Sequence, residues 1–308
     1  MAAWRFWLLF GAEFLVVGGA ARFVGASCWG ASAAALAWLI GLRAVGLGFF
    51  FVLSRWRRAP GPPDARLGPA ASLRWMLNET WATLAAFFYL HPVAEWFNRD
   101  PPPGAPGTPV LFIHGFLSNA GFWHPLKKWL AQAGQRNSYA VTLGPPFAPL
   151  DDLAAELAQQ VERIYARADA PLVLVAHSMG GLIARACLER GRAPGRVKKL
   201  ITLGSPHHGT GAAFFLFGAN TRQMRPGSAW LRQYDERLAA GHPVPVLSVY
   251  SRHDNIVFPQ DSSVLPHARN LALTGLGHMA MAFAPEIRKM LLTEIAHSEA
   301  GAAGGIGL

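Results

Sequence analysis

Apolar and polar positions follow two regimes along this chain. Up to about residue 53 the sequence is almost unbroken apolar. Beyond residue 108, short apolar runs trade places with segments of three- and four-residue periodicity. In the first regime, Phe6 to Val24 is interrupted only by Glu13 and Arg22, and Gly30 to Leu53 only by Arg43. Each run is long enough for a helix to cross a hydrocarbon core of about 30 Å, at about 1.5 Å per residue. The Gly/Ala/Ser stretch between them suits a tight hairpin. Glu13 and Arg43 would each cost on the order of 3 kcal/mol at mid-depth in lipid, so they are expected to face one another. Gly30, Ala34, Gly41 and Gly48 are expected to let the two helices approach closely. Ser72 to Phe97 reads as helical and aromatic-rich, but its apolar centre, Trp81 to Leu90, is too short to span. It either lies along the membrane interface or covers one face of the domain that follows. Pro101, Pro102, Pro103 and Pro106 then mark a boundary.

In the second regime the apolar runs Pro109–His114, Tyr139–Leu143, Leu172–Ala176, Val197–Leu203, Val244–Tyr250 and Asn270–Thr274 predict six strands. Helical periodicity separates them. It is clearest at Leu150, Leu153, Leu157, Val161 and Ile164. Strands alternating with helices predict an α/β fold with a mainly parallel sheet covered on both faces, whose sites form beyond the carboxyl ends of the strands. The alternation lapses between Gly209 and Val244, where Ala212 to Phe217 reads A-A-F-F-L-F. The expected division is a two-span hairpin with a basic linker over 1–66 and the aromatic segment with its proline-rich boundary over 67–103. A catalytic domain follows over 104–298, then a flexible tail over 299–308.

Composition sharpens this picture. Of 308 residues, 52% are hydrophobic and 15% charged, and the formal net charge is +10. No Lys/Arg block is interleaved with aromatics as a nucleic-acid reader requires, so an anionic lipid surface is the expected partner. Arg55, Arg57, Arg58 and Arg66 follow the second span directly, against Arg22 alone in the hairpin. By the positive-inside rule this places the chain beyond the second span on the cytoplasmic side of a bacterial-type inner membrane. Glu13 in the middle of the first run argues against a cleaved signal peptide. Cys28 and Cys187 lie too far apart in sequence to suggest a disulfide framework. No cluster has metal-ligand spacing, and neither metal nor cofactor is expected. The oligomeric state is left open.

Leu172 to Leu182 reads L-V-L-V-A-H-S-M-G-G-L, a buried strand running into a helix. A turn that sharp strains its apex, Ser178, and demands small neighbours, here Ala176 and Gly180. The hydroxyl is then presented at the carboxyl end of the sheet beside the helix amides, where a nucleophile is useful. The hexapeptide A-H-S-M-G-G resembles the nucleophile elbow of the α/β-hydrolases, in the variant of some bacterial lipases. Three further segments extend the resemblance, in the right order and over Pro109 to Leu292. H-G-F at His114–Phe116 is similar to the lipase oxyanion loop. T-L-G-S-P-H-H-G-T at Thr202–Thr210 is similar to the segment after the next strand. S-R-H-D-N-I-V-F-P at Ser251–Pro259 resembles the acid loop. The resemblance implies an α/β-hydrolase fold preceded by a helical membrane module.

The residues beyond the strand ends supply what hydrolysis needs. A serine hydroxyl requires a base, a histidine titrates in the right range, and a carboxylate fixes its tautomer. In hydrolase chain order these are Ser178, Asp254 and His278. The oxyanion donors are expected to be the amides of Met179 and Phe116. His114 is expected to brace the oxyanion loop. His177 is expected to point away from Ser178, His253 to be exposed, and Asp261 to stand as a reserve acid. Phe214, Phe215 and Phe217 are candidates to receive an acyl chain or act as a small lid, and His207 to touch substrate. The reading is a membrane-tethered serine esterase or lipase acting on a hydrophobic ester or lipid through an acyl-serine. An acyltransferase or thioesterase would use the same triad. A non-catalytic membrane scaffold is the alternative of another class, and the complete triad argues against it.

Overall fold

Six parallel strands form where the short apolar runs predict them, in a computed structural model that describes residues 3–59, 66–237 and 241–303. They are β1 (Val110–Ile113), β2 (Ser138–Val141), β3 (Leu172–His177), β4 (Val197–Leu203), β5 (Val246–Ser251) and β6 (Arg269–Leu273). Their order is β2-β1-β3-β4-β5-β6, and every pairing is parallel. The chain reverses its direction of travel between β1 and β3, so the crevice at the sheet's carboxyl edge opens between those two strands. Ile113 pairs with Ala176, which sets the ends of β1 and β3 level.

Alternating side chains divide the core into two layers. Leu111, Ile113, Leu172, Leu174 and Ala176 pack on α5 (Leu150–Ala168) and α6 (Met179–Glu189). Phe112, Val173, Val175, Ile201 and Leu203 face the opposite way, onto α4 (His124–Gln132) and α9 (Pro285–Ala303). The periodic residues of α5 are all buried, as their spacing predicts.

The amino-terminal apolar runs are α1 (Ala3–Phe23) and α2 (Cys28–Trp56), joined as a hairpin. Glu13 and Arg43 meet in a two-pronged ion pair, Nη1 to Oε2 at 2.5 Å and Nη2 to Oε1 at 3.0 Å. The contact stripe of α2 is not the one expected. Ala31, Ala35 and Leu39 are buried, with Gly18 of α1 against Ala31 and Ala35. Ala34 is exposed, and open space surrounds Gly41 and Gly48. Arg43 extends the four-residue stripe of Ala31, Ala35 and Leu39, so the ion pair and the close packing share one helix face, and that face excludes the expected residues.

The aromatic segment covers the parallel sheet rather than standing apart from it. It forms α3 (Pro69–Ala85), a π-helical turn at Ala86–Leu90 and a 3-10 turn at Ala94–Phe97. Ala86, Leu90 and Ala94 belong to the same buried layer as Phe112 and Val175. Asn119 Nδ2 donates to the His91 carbonyl at 2.7 Å, Asn98 Nδ2 donates to the Ala140 carbonyl at 2.9 Å, and Thr142 bonds Glu95. The proline-rich stretch is therefore no boundary in packing. Phe6 and Phe10 of α1 pack in turn on Phe87 and Phe88. At the other end, α9 continues to Ala303, into the segment expected as a flexible tail. Residues 60–65, near the end of the expected hairpin and basic linker, and residues 304–308 lie outside the described residues.

This packing predicts that a chain beginning at Gly104, which loses Ala86, Leu90 and Ala94 from the core, will be recovered aggregated or without a cooperative thermal transition. Leu90 alone is worth about 2–5 kcal/mol, a large share of the usual margin of stability, and the loss also bares the apolar layer that holds Phe112 and Phe122. Circular dichroism melts of the short and full chains check this.

Candidate active site

The strand–helix turn between β3 and α6 holds Ser178 at φ 55° and ψ −128°, a left-handed conformation that costs a non-glycine residue about 1–3 kcal/mol. Its surroundings are cut away to permit it. A Cβ on Gly180 would lie 2.6 Å from the His114 carbonyl oxygen, and one on Gly115 would lie 2.9 Å from the Ser178 Cβ. Ser178 N–H donates to the Leu203 carbonyl at 2.9 Å, which ties the turn to β4. Met179 is the first residue of α6, so its amide has no helical partner and is directed at the carboxyl edge of the sheet. Phe116 lies in the loop after β1 and lines the same cavity as Ser178.

Asp254 follows β5 and His278 follows β6, and the fold brings them together. His278 Nδ1 and Asp254 Oδ2 are 2.8 Å apart, with both residues buried. The other carboxylate oxygen, Oδ1, accepts from the amides of Ile256 at 2.8 Å and Val257 at 2.7 Å, so the acid is held at both oxygens. His278 N–H donates to Asn255 Oδ1 at 3.0 Å. With Nδ1–H directed at the carboxylate, Nε2 is the basic nitrogen. Burial disfavours the imidazolium, but the charge and hydrogen bond of Asp254, with a further contribution from Glu79, outweigh it. The His278 pKa is raised above its ordinary value.

Four further buried histidines, His114, His177, His207 and His253, are held by local hydrogen bonds. His114 Nε2 accepts from the Leu143 amide at 2.9 Å while Nδ1 bonds the Gly115 carbonyl at 2.8 Å, bracing the loop after β1 as expected. Burial pushes its pKa down to about 3. His177 Nε2 donates to the His278 carbonyl at 3.0 Å, so this neighbour of Ser178 supports the histidine loop. His207 is fully buried with Nε2 on Thr202 Oγ1 at 3.0 Å, and it does not line the cavity. His253 is buried rather than exposed, because its Nδ1 accepts the Gly275 amide at 3.1 Å. Asp261 is exposed.

Ser178 and His278 open onto a cavity of about 270 Å³. From the segment after β4, it is lined by Ala212, Ala213 and Leu216. Phe214, Phe215 and Phe217 do not line it. The 3-10 turn at Gly211–Phe214 buries its alanines and leaves the phenylalanines exposed. Phe215 instead meets Phe49 of α2 with ring centroids 5.1 Å apart, and Phe217 meets Phe147 at 4.8 Å. Two walls were not anticipated from the sequence: Gly46, Leu47 and Phe50 of α2, and Glu79, Thr83 and Phe87 of the α3 segment. Glu79 was available as a signal, being the only acidic residue between Asp64 and Glu95. Among the described residues, no group of three or more His, Cys, Asp or Glu side chains has a metal-binding arrangement.

Residues 110–293 match a family model described as the alpha/beta hydrolase family. The fold is similar to that of a Bacillus licheniformis lipase in mature form, with a TM-score of 0.55 and 18% identity over 64% of this chain and 96% of the other. It is also similar to Aspergillus fumigatus lipase B, with a TM-score of 0.56 and 16% identity over 67% of this chain and 57% of the other. At these identities the likeness is one of fold. No curated protein matches the chain.

If His278 acts as a base it must be neutral, so its raised pKa is expected to place the acid limb of kcat/KM above the usual histidine value of about 6.5. Asp254→Asn removes the charge that holds the pKa up. It should shift that limb to lower pH and reduce kcat by on the order of 10⁴. A pH–rate profile with a chromogenic ester measures both.

Proposed function

The chain belongs to the alpha/beta hydrolase family, and we propose that within it the chain is a membrane-tethered serine hydrolase that cleaves a hydrophobic carboxylic ester through an acyl-serine intermediate. The observation that carries this reading is that one cavity is lined both by Ser178 and His278 and by residues of α2, a helix long and apolar enough to cross a membrane.

In this reading Ser178 Oγ attacks the ester carbonyl while His278 Nε2 takes its proton. The amides of Phe116 and Met179 receive the oxyanion. Collapse expels the alcohol, which takes the proton back from His278. Water, activated by the same nitrogen, then releases the acid and frees Ser178. Asp254 holds the imidazole and stabilises the imidazolium. The apolar lining supports an acyl group as the part of the substrate enclosed.

Membrane attachment is supported by exposure. Only 17% of the apolar window of α1 and 6% of that of α2 is buried, which is unlike the core helix of a soluble protein. Val45, Phe49 and Val52 of α2 are exposed, as are Phe214, Phe215 and Phe217, and Phe215 packs on Phe49, so Phe215 extends the apolar surface of α2 in a way suited to the lipid interface. The arginines after α2 favour the cytoplasmic side of an inner membrane.

Labelling with a fluorophosphonate tests the chemistry. The full chain should be labelled at Ser178, and Ser178→Ala should lose labelling and drop in kcat by on the order of 10⁶. Labelling that persists in Ser178→Ala would sink the assignment. Parallel assays with esters, thioesters and alcohol acceptors in vesicles separate hydrolysis from acyl transfer. For topology, a reporter active only in the cytoplasm should be active when fused after Leu308. An export-dependent reporter at the same point should be silent.

A further inference from the structure

Glu79 is a carboxylate 2% exposed, carried by α3 and lying against the loop that bears His278. The amide of Met279 donates to its Oε1 at 3.0 Å, and the amide of Ala280 donates to its Oε2 at 2.9 Å. On the other side of the histidine stands Gly277, where a Cβ would lie 2.2 Å from Oε2. Residues 277–280 are therefore wrapped directly onto this carboxylate, and it lines the same cavity as Ser178 and His278. Resting on the serine-hydrolase reading, we propose that Glu79 is a positioning residue for His278. It fixes the histidine loop from outside the sheet and places a second negative charge beside the imidazolium formed at each turnover.

Two amide donors by themselves do not call for a charge, because a neutral carbonyl satisfies an amide without the cost of burying a carboxylate. A charge at this position gains its return when a cation appears next to it. The groups around the pair are few. Burial raises the Glu79 carboxyl above the usual range, the Met279 and Ala280 amides and His278 oppose that rise, and Asp254 beyond the imidazole adds to it. His177, whose ring centroid lies 4.6 Å from that of His278, is kept neutral chiefly by burial. His91, on the same wall as Glu79, is likewise held down to about 3. Arg43 reaches the cavity from α2 but is paired with Glu13. The helix bearing Glu79 is itself wedged in place. Trp75 packs on Phe51 of α2 with centroids 4.7 Å apart, and Trp81 packs on Phe283 beyond the histidine loop at 6.3 Å. The seat of the hairpin is thereby linked to the orientation of the base.

The test uses the full-length protein in detergent and a short soluble chromogenic ester, so that substrate delivery from a bilayer does not enter. Glu79→Gln preserves volume but sets an amide donor against a backbone donor and removes the charge. It should lower kcat by about 10²-fold, the scale of a misplaced catalytic group, with KM within about twofold. The acid limb of kcat/KM should move to lower pH. Glu79→Asp keeps the charge on a shorter stem, so it should lose part of kcat while leaving the limb where it is in the wild type. Fluorophosphonate labelling of Ser178 should go to completion in both variants, but more slowly. Folding is checked by thermal melts. Wild-type kcat in folded Glu79→Gln, or a fall in kcat with an unmoved limb, overturns the proposal. Should Glu79→Gln not fold, wild-type kcat and labelling rate in Glu79→Asp overturn it. Wild-type protein that is not labelled at Ser178 refutes the serine-hydrolase reading itself. Normal labelling rates in the variants, with Ser178 labelled in the wild type, refute the role of Glu79 alone.

Discussion

The left-handed backbone at Ser178 sets the terms for everything around it. A serine at that φ is stable only where the surrounding fold leaves it no alternative, and here the ends of β1, β3 and β4 do so. Its amide is bonded to β4, the first turn of α6 passes within contact of the His114 carbonyl, and the loop after β1 has no side chain at Gly115. The reversal of chain direction between β1 and β3 is what brings the loop after β1 beside Ser178 and the first turn of α6. The same sheet edge receives Asp254 and His278 from β5 and β6. The strain is local, but the whole parallel sheet sustains it.

The second organising principle is electrostatic selection among buried histidines. His91, His114, His177 and His207 are all driven below the ordinary range, chiefly by burial. Each bonds at least one ring nitrogen to a carbonyl, amide or hydroxyl as neutral bracing. His278 is as deeply buried, yet its pKa is raised, because it alone of these faces carboxylates. In the proposed reading His278 is a base that gains charge during reaction and has to be stabilised as a cation, whereas bracing histidines are better left neutral. The environment assigns these roles, not proximity in sequence. His177 is adjacent to Ser178 in the chain, and it serves the histidine loop instead.

Much of the sheet, and the candidate site as a set of strand-end residues, was legible beforehand. The strand runs, the α5 periodicity and the small neighbours of Ser178 are local signals, and the rule that sites lie beyond parallel strand ends converted six loops into a short list containing Asp254 and His278. What escaped depends on contacts distant in sequence. An aromatic helix looks the same whether it meets lipid or a sheet, so Ala86, Leu90 and Ala94 gave no sign that they complete the core under Phe112. Phe214, Phe215 and Phe217 were apolar in the right place, but the segment forms a 3-10 turn at Gly211–Phe214 that buries Ala212 and Ala213 and leaves the phenylalanines exposed. The hairpin stripe runs through Ala31, Ala35, Leu39 and Arg43 rather than Gly30, Ala34, Gly41 and Gly48, although the position of Arg43 contained that information.

Helix α2 carries two obligations on two faces. Ala31, Ala35, Leu39 and Arg43 engage α1, while Gly46, Leu47 and Phe50 turn to the cavity. In the proposed reading this has an energetic consequence. An acyl chain passing from a bilayer into an apolar cavity exchanges one apolar surrounding for another, so the burial term of roughly 25 cal/mol per Å² that would favour binding from water largely cancels. Selection must then rest on the polar end of the substrate, at the ester carbonyl, the two amides and the imidazole. What the hairpin adds is proximity, since a tethered site samples lipid at a high effective concentration whatever the strength of its own contacts to the acyl chain. A cavity wall made from the tether itself lets both contributions act on the same substrate.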